Sequence, residues 1–332
     1  MPITPSDLDR NRFLDRFAVG AFSTGTGGDG VAGFLARQMF PVIPSDDEVG
    51  KYFTIDFDDV RRDTFKPRAP GDIIPTGNWR MSSASFATEQ YAYAEGLPEE
   101  FTAKTAPSLD VEQSATLVCA ERALISQEVR FGAAYWKTGV WGIDMAGQAT
   151  TDATHYVFWN RVAATPVDDV ADLSTSLKLK GNRRPNTLAL GAVVRDRLIN
   201  NAQIVGRLNN GQTPGGPAEA TLADLAKLFK VQRVIVADGT YNSANEGATA
   251  SNGFILNSKS AWLGYVDPSP TKFTATAGAT FTWKGIAGND QGVRMFRRWD
   301  ADRRRWLIEM LHDDVYKIIS ANTGAFLSGI VE

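Results

Sequence analysis

Between residues 51 and 58 bulky apolar side chains alternate with polar ones: Phe53, Ile55 and Phe57 against Thr54, Asp56 and Asp58. That is the period of a half-buried strand. Arg68–Ala69–Pro70–Gly71 and Pro75–Thr76–Gly77–Asn78 then punctuate a turn-rich excursion. The chain returns over residues 81–94, with Phe86, Tyr91 and Tyr93 as its bulky members. The pattern predicts a long β-hairpin with little core of its own. A lone two-stranded hairpin is marginal in water. Another element, or another subunit, is expected to pack it.

The period then lengthens. Val111, Ala115, Val118, Ile125, Val129 and Trp136 recur at helical spacing, interrupted at Arg122, and Leu117, Leu124, Phe131 and Tyr135 form a second stripe beside them. This predicts a helix over 110–137 with a broad apolar face. Such a helix is about 40 Å long at 1.5 Å per residue. Asp110 is its expected N-cap, with Gln113 three residues on. Gly132 and Gly139 weaken its last turns.

A second helix is expected after Thr165–Pro166, with Asp168 and Asp169 in its first turn, Lys178 and Lys180 near its end, and Gly181 as its stop. Further on, Thr221 and Asp224 form a capping-box pattern ahead of Leu222, Leu225, Leu228 and Phe229. Val234–Ile235–Val236 follows as a buried strand. This alternation marks residues 183–258 as a compact α/β unit. Beyond residue 252 the pattern turns to strands, including a hairpin of 293–299 and 305–310 around Asp300–Ala301–Asp302–Arg303, and strands over 315–319 and 325–331 close the chain around Asn322–Thr323–Gly324. Residues 1–50 read as an arm. Phe13, Leu14 and Phe17 lead into the Gly-rich 23–30, and a second apolar piece runs over 31–40 before Pro41 and Pro44.

Composition narrows the chemistry. The chain has 332 residues, 43% hydrophobic and 22% charged, which is ordinary for a protein with real cores. Its net charge of -3 gives no global basic character for holding nucleic acid. Cys119 is the single cysteine, so no internal disulfide or cysteine-rich metal site can form. His155 and His312 have no neighbouring His or Cys at metal-ligand spacing, and no Ser lies in a G-x-S-x-G context. His312 is expected in a turn. Gly25–Thr26–Gly27–Gly28–Asp29–Gly30 matches the dinucleotide fingerprint, but no hydrophobic strand precedes it and no βαβ unit surrounds it. A nucleotide-dependent enzyme stays an alternative on that motif alone. The sharpest charge feature is Arg294, Arg297, Arg298, Arg303, Arg304 and Arg305 interleaved with Phe296, Trp299 and Trp306. Such residues suit subunit contacts. They also suit nucleic acid, the other alternative. Strand alternation is expected to divide these arginines between two faces. No run reaches the roughly 18 apolar residues of a membrane span.

The order of arm, long hairpin, long helix, α/β unit and late strands resembles the major capsid protein of tailed bacteriophages, the Hong Kong 97-type fold. Val49–Gly50–Lys51–Tyr52 leading through Arg61–Arg62–Asp63 to Arg68–Ala69–Pro70–Gly71 looks like the extended loop of that family. The text Tyr-Ala-Glu-Gly-Leu-Pro-Glu-Glu over 93–100 looks like the return into its spine helix. Thr165–Pro166–Val167–Asp168–Asp169, then Arg183-Arg184-Pro185-Asn186-Thr187-Leu188, is similar to the start of its axial domain. Residues 222–242, Ala261-Trp262-Leu263-Gly264-Tyr265-Val266 and Phe281–Thr282–Trp283 match the stretches that follow.

The resemblance covers nearly the whole chain. It implies an α+β subunit with an arm over 1–50 and an extended loop over 51–100. A peripheral domain is implied over 101–182 and 259–310, with a spine helix at 110–137, and an axial domain over 183–258 and 311–332. It implies a structural protein, not an enzyme, with no cofactor. Copies of the chain would associate as hexamers and pentamers into an icosahedral shell around double-stranded DNA, within a virion assembled in the host cytoplasm. A portal protein, and separate scaffolding and decoration proteins, are the other implied partners. The loop is reached by Lys51, so no long scaffolding segment is expected ahead of it. Arg68, Pro70, Gly71, Arg297, Arg298, Trp299 and Trp306 are the expected assembly contacts. The family's loop-lysine crosslink is not carried over to Lys51 or Lys66.

Overall fold

The structure, a computed structural model, describes residues 33–55, 61–65, 67–74, 76, 81–100, 108–209, 220–269, 276–287 and 290–332. The Gly-rich motif at 25–30 and the apolar residues Phe13, Leu14 and Phe17 lie outside them. The N-terminal half carries β1 (Val42–Ser45), β2 (Val49–Ile55), β3 (Met81–Ala87), β4 (Glu89–Pro98), α1 (Ser108–Tyr135), β5 (Ile143–Gln148) and β6 (His155–Val157). Next come α2 (Pro166–Gly181), β7 (Thr187–Gly191), α3 (Ala192–Ile199), α4 (Ala202–Asn209), α5 (Leu222–Phe229) and β8 (Arg233–Ala237). A small hairpin of β9 (Thr240–Asn242) and β10 (Asn252–Phe254) precedes β11 (Ala261–Gly264) and β12 (Gly278–Trp283). The chain closes with α6 (Lys284–Ala287), β13 (Val293–Asp300), β14 (Arg305–Ile318) and β15 (Gly324–Ser328).

Two sheets organise these elements. In the first, the 14-residue strand β14 is central. It pairs with β4 on one side and with β13 and then β12 on the other, and β1 lies parallel to β12. The second sheet has six strands in the order β6-β5-β15-β11-β7-β8. Every residue of β7 and β11 is buried. Near-continuous burial is what a sheet covered on both faces requires. On one face Leu188, Leu190, Leu263 and Leu327 meet Val170, Leu173 and Leu177 of α2 and Leu225 and Phe229 of α5. On the other face Ala189, Ile235, Trp262 and Phe326 meet α1 and the N-terminal residues Leu35, Met39 and Phe40. Alternate residues of three strands therefore build two cores.

The local signals for α2 and α5 hold. Thr221 and Asp224 form the expected capping box. Asp168 and Asp169 occupy the first turn of α2, although Thr165 makes no side-chain cap and the helix ends on Gly181 with Asn182 left-handed. Elsewhere the structure departs from expectation. Asp110 lies inside α1, which already includes Ser108, so it is not the N-cap. Of the two stripes on α1, the one through Leu124, Phe131 and Tyr135 enters the core, while Val118 and Val129 are exposed. Residues 305–318 form one strand where two were expected, and His312 lies buried within it instead of in a turn. The expected domain boundaries cut across both sheets. Residues 143–181 and 261–264 belong with the second sheet and its helices, and 311–318 belong with the first. Hydrogen-bonded pairing decides this membership, and local pattern carries no trace of it.

The two sheets meet at an aromatic joint. The Phe40 ring lies 4.8 Å from Tyr135 and 5.6 Å from Trp262, centroid to centroid, both edge-on. Trp141 packs 5.3 Å from Trp262. Tyr135 donates its hydroxyl to the carbonyls of Ala279 and Lys317 in the first sheet. Phe40 is 2% exposed, so deleting its ring leaves a cavity shared by both sheets. Phe40→Ala is expected to cost about 3–5 kcal/mol in denaturant unfolding, with both sheets lost in one transition.

Candidate assembly surface

The hairpin β2–β3 is anchored at its base by aromatic packing. Its register pairs Gly50 with Phe86 and Tyr52 with Ala84. The Phe86 ring stacks on Phe281 of β12 at 4.4 Å, and Tyr52 lies 5.6 Å from the same ring. A Cβ at position 50 would fall 2.6 Å from the Phe86 ring, so glycine is what lets the ring lie across the strand. The inward residue is therefore Tyr52, and Phe53 faces out, the reverse of the sequence expectation. A strand's period gives two faces without saying which is inward.

Beyond that base the described residues of the excursion have no layer over them. All described residues from 61 to 76 are exposed. Phe65 and Ile73 are 95% and 94% exposed, and Ile74 65%. Asp72 donates its amide to the Ala69 carbonyl at 3.2 Å, and Gly71 has φ +95°. Pro at the second position and a left-handed Gly at the third make this a type II turn. Arg68, Pro70 and Gly71 thus sit at a rigid, exposed bend. Near its start the loop touches the body of the same chain, where Arg61 donates to the carbonyls of Leu179 and Lys180 at the end of α2.

The second set of expected contacts lies on the β13–β14 hairpin. Its register pairs Arg297 with Ile308, Trp299 with Trp306 and Arg298 with Leu307. Arg297, Trp299 and Trp306 share the face toward α1, and Arg298 and Arg294 lie on the other face with Phe296. The arginines are divided as expected, and several are internally paired. Arg297 stacks on Trp306 at 3.8 Å and bonds the buried Glu112 of α1 at 2.8 Å. Arg298 pairs with Glu309, and Arg305 with Asp300. The Trp299 and Trp306 rings meet edge-on at 5.0 Å, and Trp299 is 37% exposed at the tip. A guanidinium engaged with a carboxylate and an indole is a poor phosphate clamp. The turn itself exposes Arg303 and Arg304, and behind it the hairpin presents the edge of Trp299.

Sequence reasoning missed a buried polar cluster under α1. Arg130 pairs with Asp314 of β14 and lies 3.7 Å over the Tyr91 ring of β4. Gln127 donates to the same Asp314 at 2.6 Å. His312 stacks on Tyr91 at 5.4 Å. Burial pushes the His312 imidazole down to about 4 and the Asp313 carboxyl up to about 6. Arg122, read in sequence as a break in an apolar stripe, covers Tyr93, and Arg130 covers Tyr91. No periodicity signals the cluster, because Asp314 lies 184 residues from Arg130 and 187 from Gln127. Among the described residues no group of three His, Cys, Asp or Glu is placed to hold a metal ion. Among them, too, no helix is long and apolar enough to cross a membrane.

No family model matches the chain, and no curated protein does. Solved structures do. A phage-related protein of Bordetella bronchiseptica aligns over 97% of this chain and 98% of its own, at 17% identity and a TM-score of 0.71. The virus-like particle from Pyrococcus furiosus aligns over 95% and 98%, at 8% identity and a TM-score of 0.54. The capsid of a native GTA particle aligns over 98% and 95%, at 12% identity and a TM-score of 0.53.

Two outcomes follow for this surface. Gly50→Val should force the Phe86 ring off Phe281 and loosen the hairpin. Protease cleavage in β2 and β3 should rise severalfold, with the second sheet still protected from hydrogen exchange. His312 is neutral when folded, so its contribution to stability is complete above pH 6.5 and is lost as the pH falls toward about 4. In denaturant titrations His312→Gln should lose less stability than the parent over that window.

The element order, the sheet topology and these near full-length alignments agree: the chain has the α+β Hong Kong 97-type fold of phage capsid subunits.

Proposed function

We propose that this chain is the major capsid protein of a tailed bacteriophage, assembling with copies of itself, as hexamers and pentamers, into an icosahedral shell around double-stranded DNA. The observation that carries this reading is the excursion between β2 and β3. A subunit with good cores elsewhere exposes Phe65, Ile73 and Ile74 on an arm held at its base and, near its start, by Arg61. Apolar burial contributes roughly 25 cal/mol per Å². Covering that arm with a neighbouring copy supplies the layer that its own chain does not. The fold shared with a phage-related protein and with capsid and virus-like particles supports the same role.

On this reading the first sheet with α1 is the peripheral domain and α1 is its spine. The six-stranded sheet with α2, α3 and α5 is the axial domain, where five or six copies meet. The Arg68–Gly71 bend and the Trp299–Trp306 hairpin are contacts between copies. The role is structural, with no catalytic step and no cofactor. A portal protein, separate scaffolding and decoration proteins, and the packaged DNA complete the partners in the virion.

Electron microscopy of the expressed chain, alone and with its scaffolding partner, is expected to show shells, tubes or capsomers. Phe65→Asp with Ile73→Asp should leave the subunit folded by circular dichroism and abolish those particles. A parent chain that stays a compact monomer under every assembly condition overturns the reading.

A further inference from the structure

A surface charge without a counter-charge lies where α2 ends. Lys178, Lys180, Arg183 and Arg184 fall within seven residues, and all four are exposed. Residues 173–195 contain no Asp or Glu. Lys178 Nζ bonds the carbonyl and the side chain of Asn182 at 3.0 and 3.2 Å, and Lys180 Nζ bonds the Gly142 carbonyl at 2.9 Å. Arg183 lies 5.6 Å over the Tyr265 ring. Arg61 joins them by donating to the Leu179 and Lys180 carbonyls. The partners of the cations in 178–184 are thus carbonyls, an amide and a ring. Among the described residues these four form no ion pair, whereas Arg195, Arg207, Arg297, Arg298 and Arg305 each have a carboxylate.

The opposite charge lies on the other sheet. Asp46, Asp47 and Glu48 form the turn between β1 and β2, and all three are exposed. The turn is held by its backbone. Trp283 Nε1 donates to the Asp46 carbonyl at 3.1 Å, the Thr88 amide to the Glu48 carbonyl at 3.0 Å, and Ser45 Oγ to the Asp47 carbonyl at 2.8 Å. Lys284, next to Trp283, is taken by Asp290. Among the described residues no cation pairs with the three carboxylates. We propose that the basic end of α2 receives the Asp46–Asp47–Glu48 turn of a second copy of this chain, in a head-to-tail contact.

Like charges crowded into one short stretch repel one another, and an opposite patch relieves both sides. Within one subunit the two cannot meet. The turn lies at the Trp283 end of β12. The patch lies off the Gly278 end, where Ile318 pairs with Gly278 and Asn322, four residues on, packs against Gly181 of α2. The six residues of β12 between these ends span about 20 Å. That exceeds the roughly 10 Å over which exposed charges act at 0.1 M salt. Complementary patches at two places on one body make a heterologous contact, which repeats from copy to copy and closes into a ring when the rotation allows. The contact rests on the association of copies proposed above and gives that association a direction. Duplex DNA also suits a row of cations, but an opposite patch carried on the same chain points to a second copy.

Charge reversal in the full chain tests it, with folding checked by circular dichroism. Arg183→Glu with Arg184→Glu reverses the patch, Asp46→Lys with Asp47→Lys reverses the turn, and a third variant carries all four changes. At about 50 mM salt, where exposed pairs are least screened, each one-sided reversal should raise the concentration needed for capsomers or shells roughly tenfold. The variant with all four changes should return it to the parental value, and the two one-sided variants should assemble when mixed. Assembly indifferent to either reversal, or not restored by the four changes together, overturns the contact while leaving the shell intact. A reversed patch that weakens only the binding of duplex DNA gives the patch to nucleic acid and overturns the contact too. A parent chain that never associates removes the assembly itself, and this contact with it. Should a variant fail to fold, carbodiimide coupling of mixed unlabelled and isotope-labelled parent decides. A link from Lys178 or Lys180 of one copy to Asp46, Asp47 or Glu48 of the other supports the contact, and the absence of any such link overturns it.

Discussion

The aromatic joint around Phe40 is the contact on which the architecture depends. Two sheets of different topology share no strand, so packing between their faces has to fix one against the other. Phe40, Phe131, Tyr135, Trp141 and Trp262 interlock there, mostly at tilted or edge-on angles and 4.8 to 6.1 Å apart. Such pairs add roughly 0.5–1.5 kcal/mol each beyond area burial. Tyr135 ties the joint to the first sheet by two hydrogen bonds, and Trp262 is itself part of the second. The N-terminal segment 33–41 enters because it delivers Phe40 to this point.

The joint gives meaning to α1. A 28-residue helix lying along β4, β13 and β14 is a stiff spar. Its first half packs through small residues, Ala115, Cys119, Ala120 and Ala123, which bring it close to the sheet. Its second half swaps that packing for the polar cluster of Gln127, Glu128 and Arg130 and then the aromatic joint. Packing sets position along the first half and hydrogen bonding sets it along the second. The hairpin β2–β3 hangs from the same sheet by Phe86 and Tyr52 on Phe281, so a rigid body carries an arm with exposed apolar tips.

Much of this was legible in residue order. The hairpin, the long helix, the acidic first turn of α2, the capping box of α5, the turn near Pro70–Gly71 and the division of the arginines by strand alternation all follow from local chemistry. What was not legible shares one feature. His312 looked like a turn residue because Asp313 and Asp314 follow it; in the fold all three are buried, and Asp314 is neutralised by Arg130 from a distant helix. Phe53 looked inward because it alternates with Ile55 and Phe57 against polar neighbours, yet the Phe281 ring meets Tyr52. Val118 and Val129 matched a core stripe as well as Leu124 and Phe131 did, and only the position of the sheet chose between them.

The sequence by itself determined the elements, their order and their likeness to a capsid subunit. These rest on periods of two and 3.6, on caps and on turn residues, all interactions over a few positions. Tertiary structure alone decided which strands share a sheet, which face of each element is buried, and where charge can be taken out of water. Those outcomes depend on partners as far as 254 residues away, such as Gln291 against Arg37. A side chain's solvation energy is set by what surrounds it in space, and local pattern cannot carry that information.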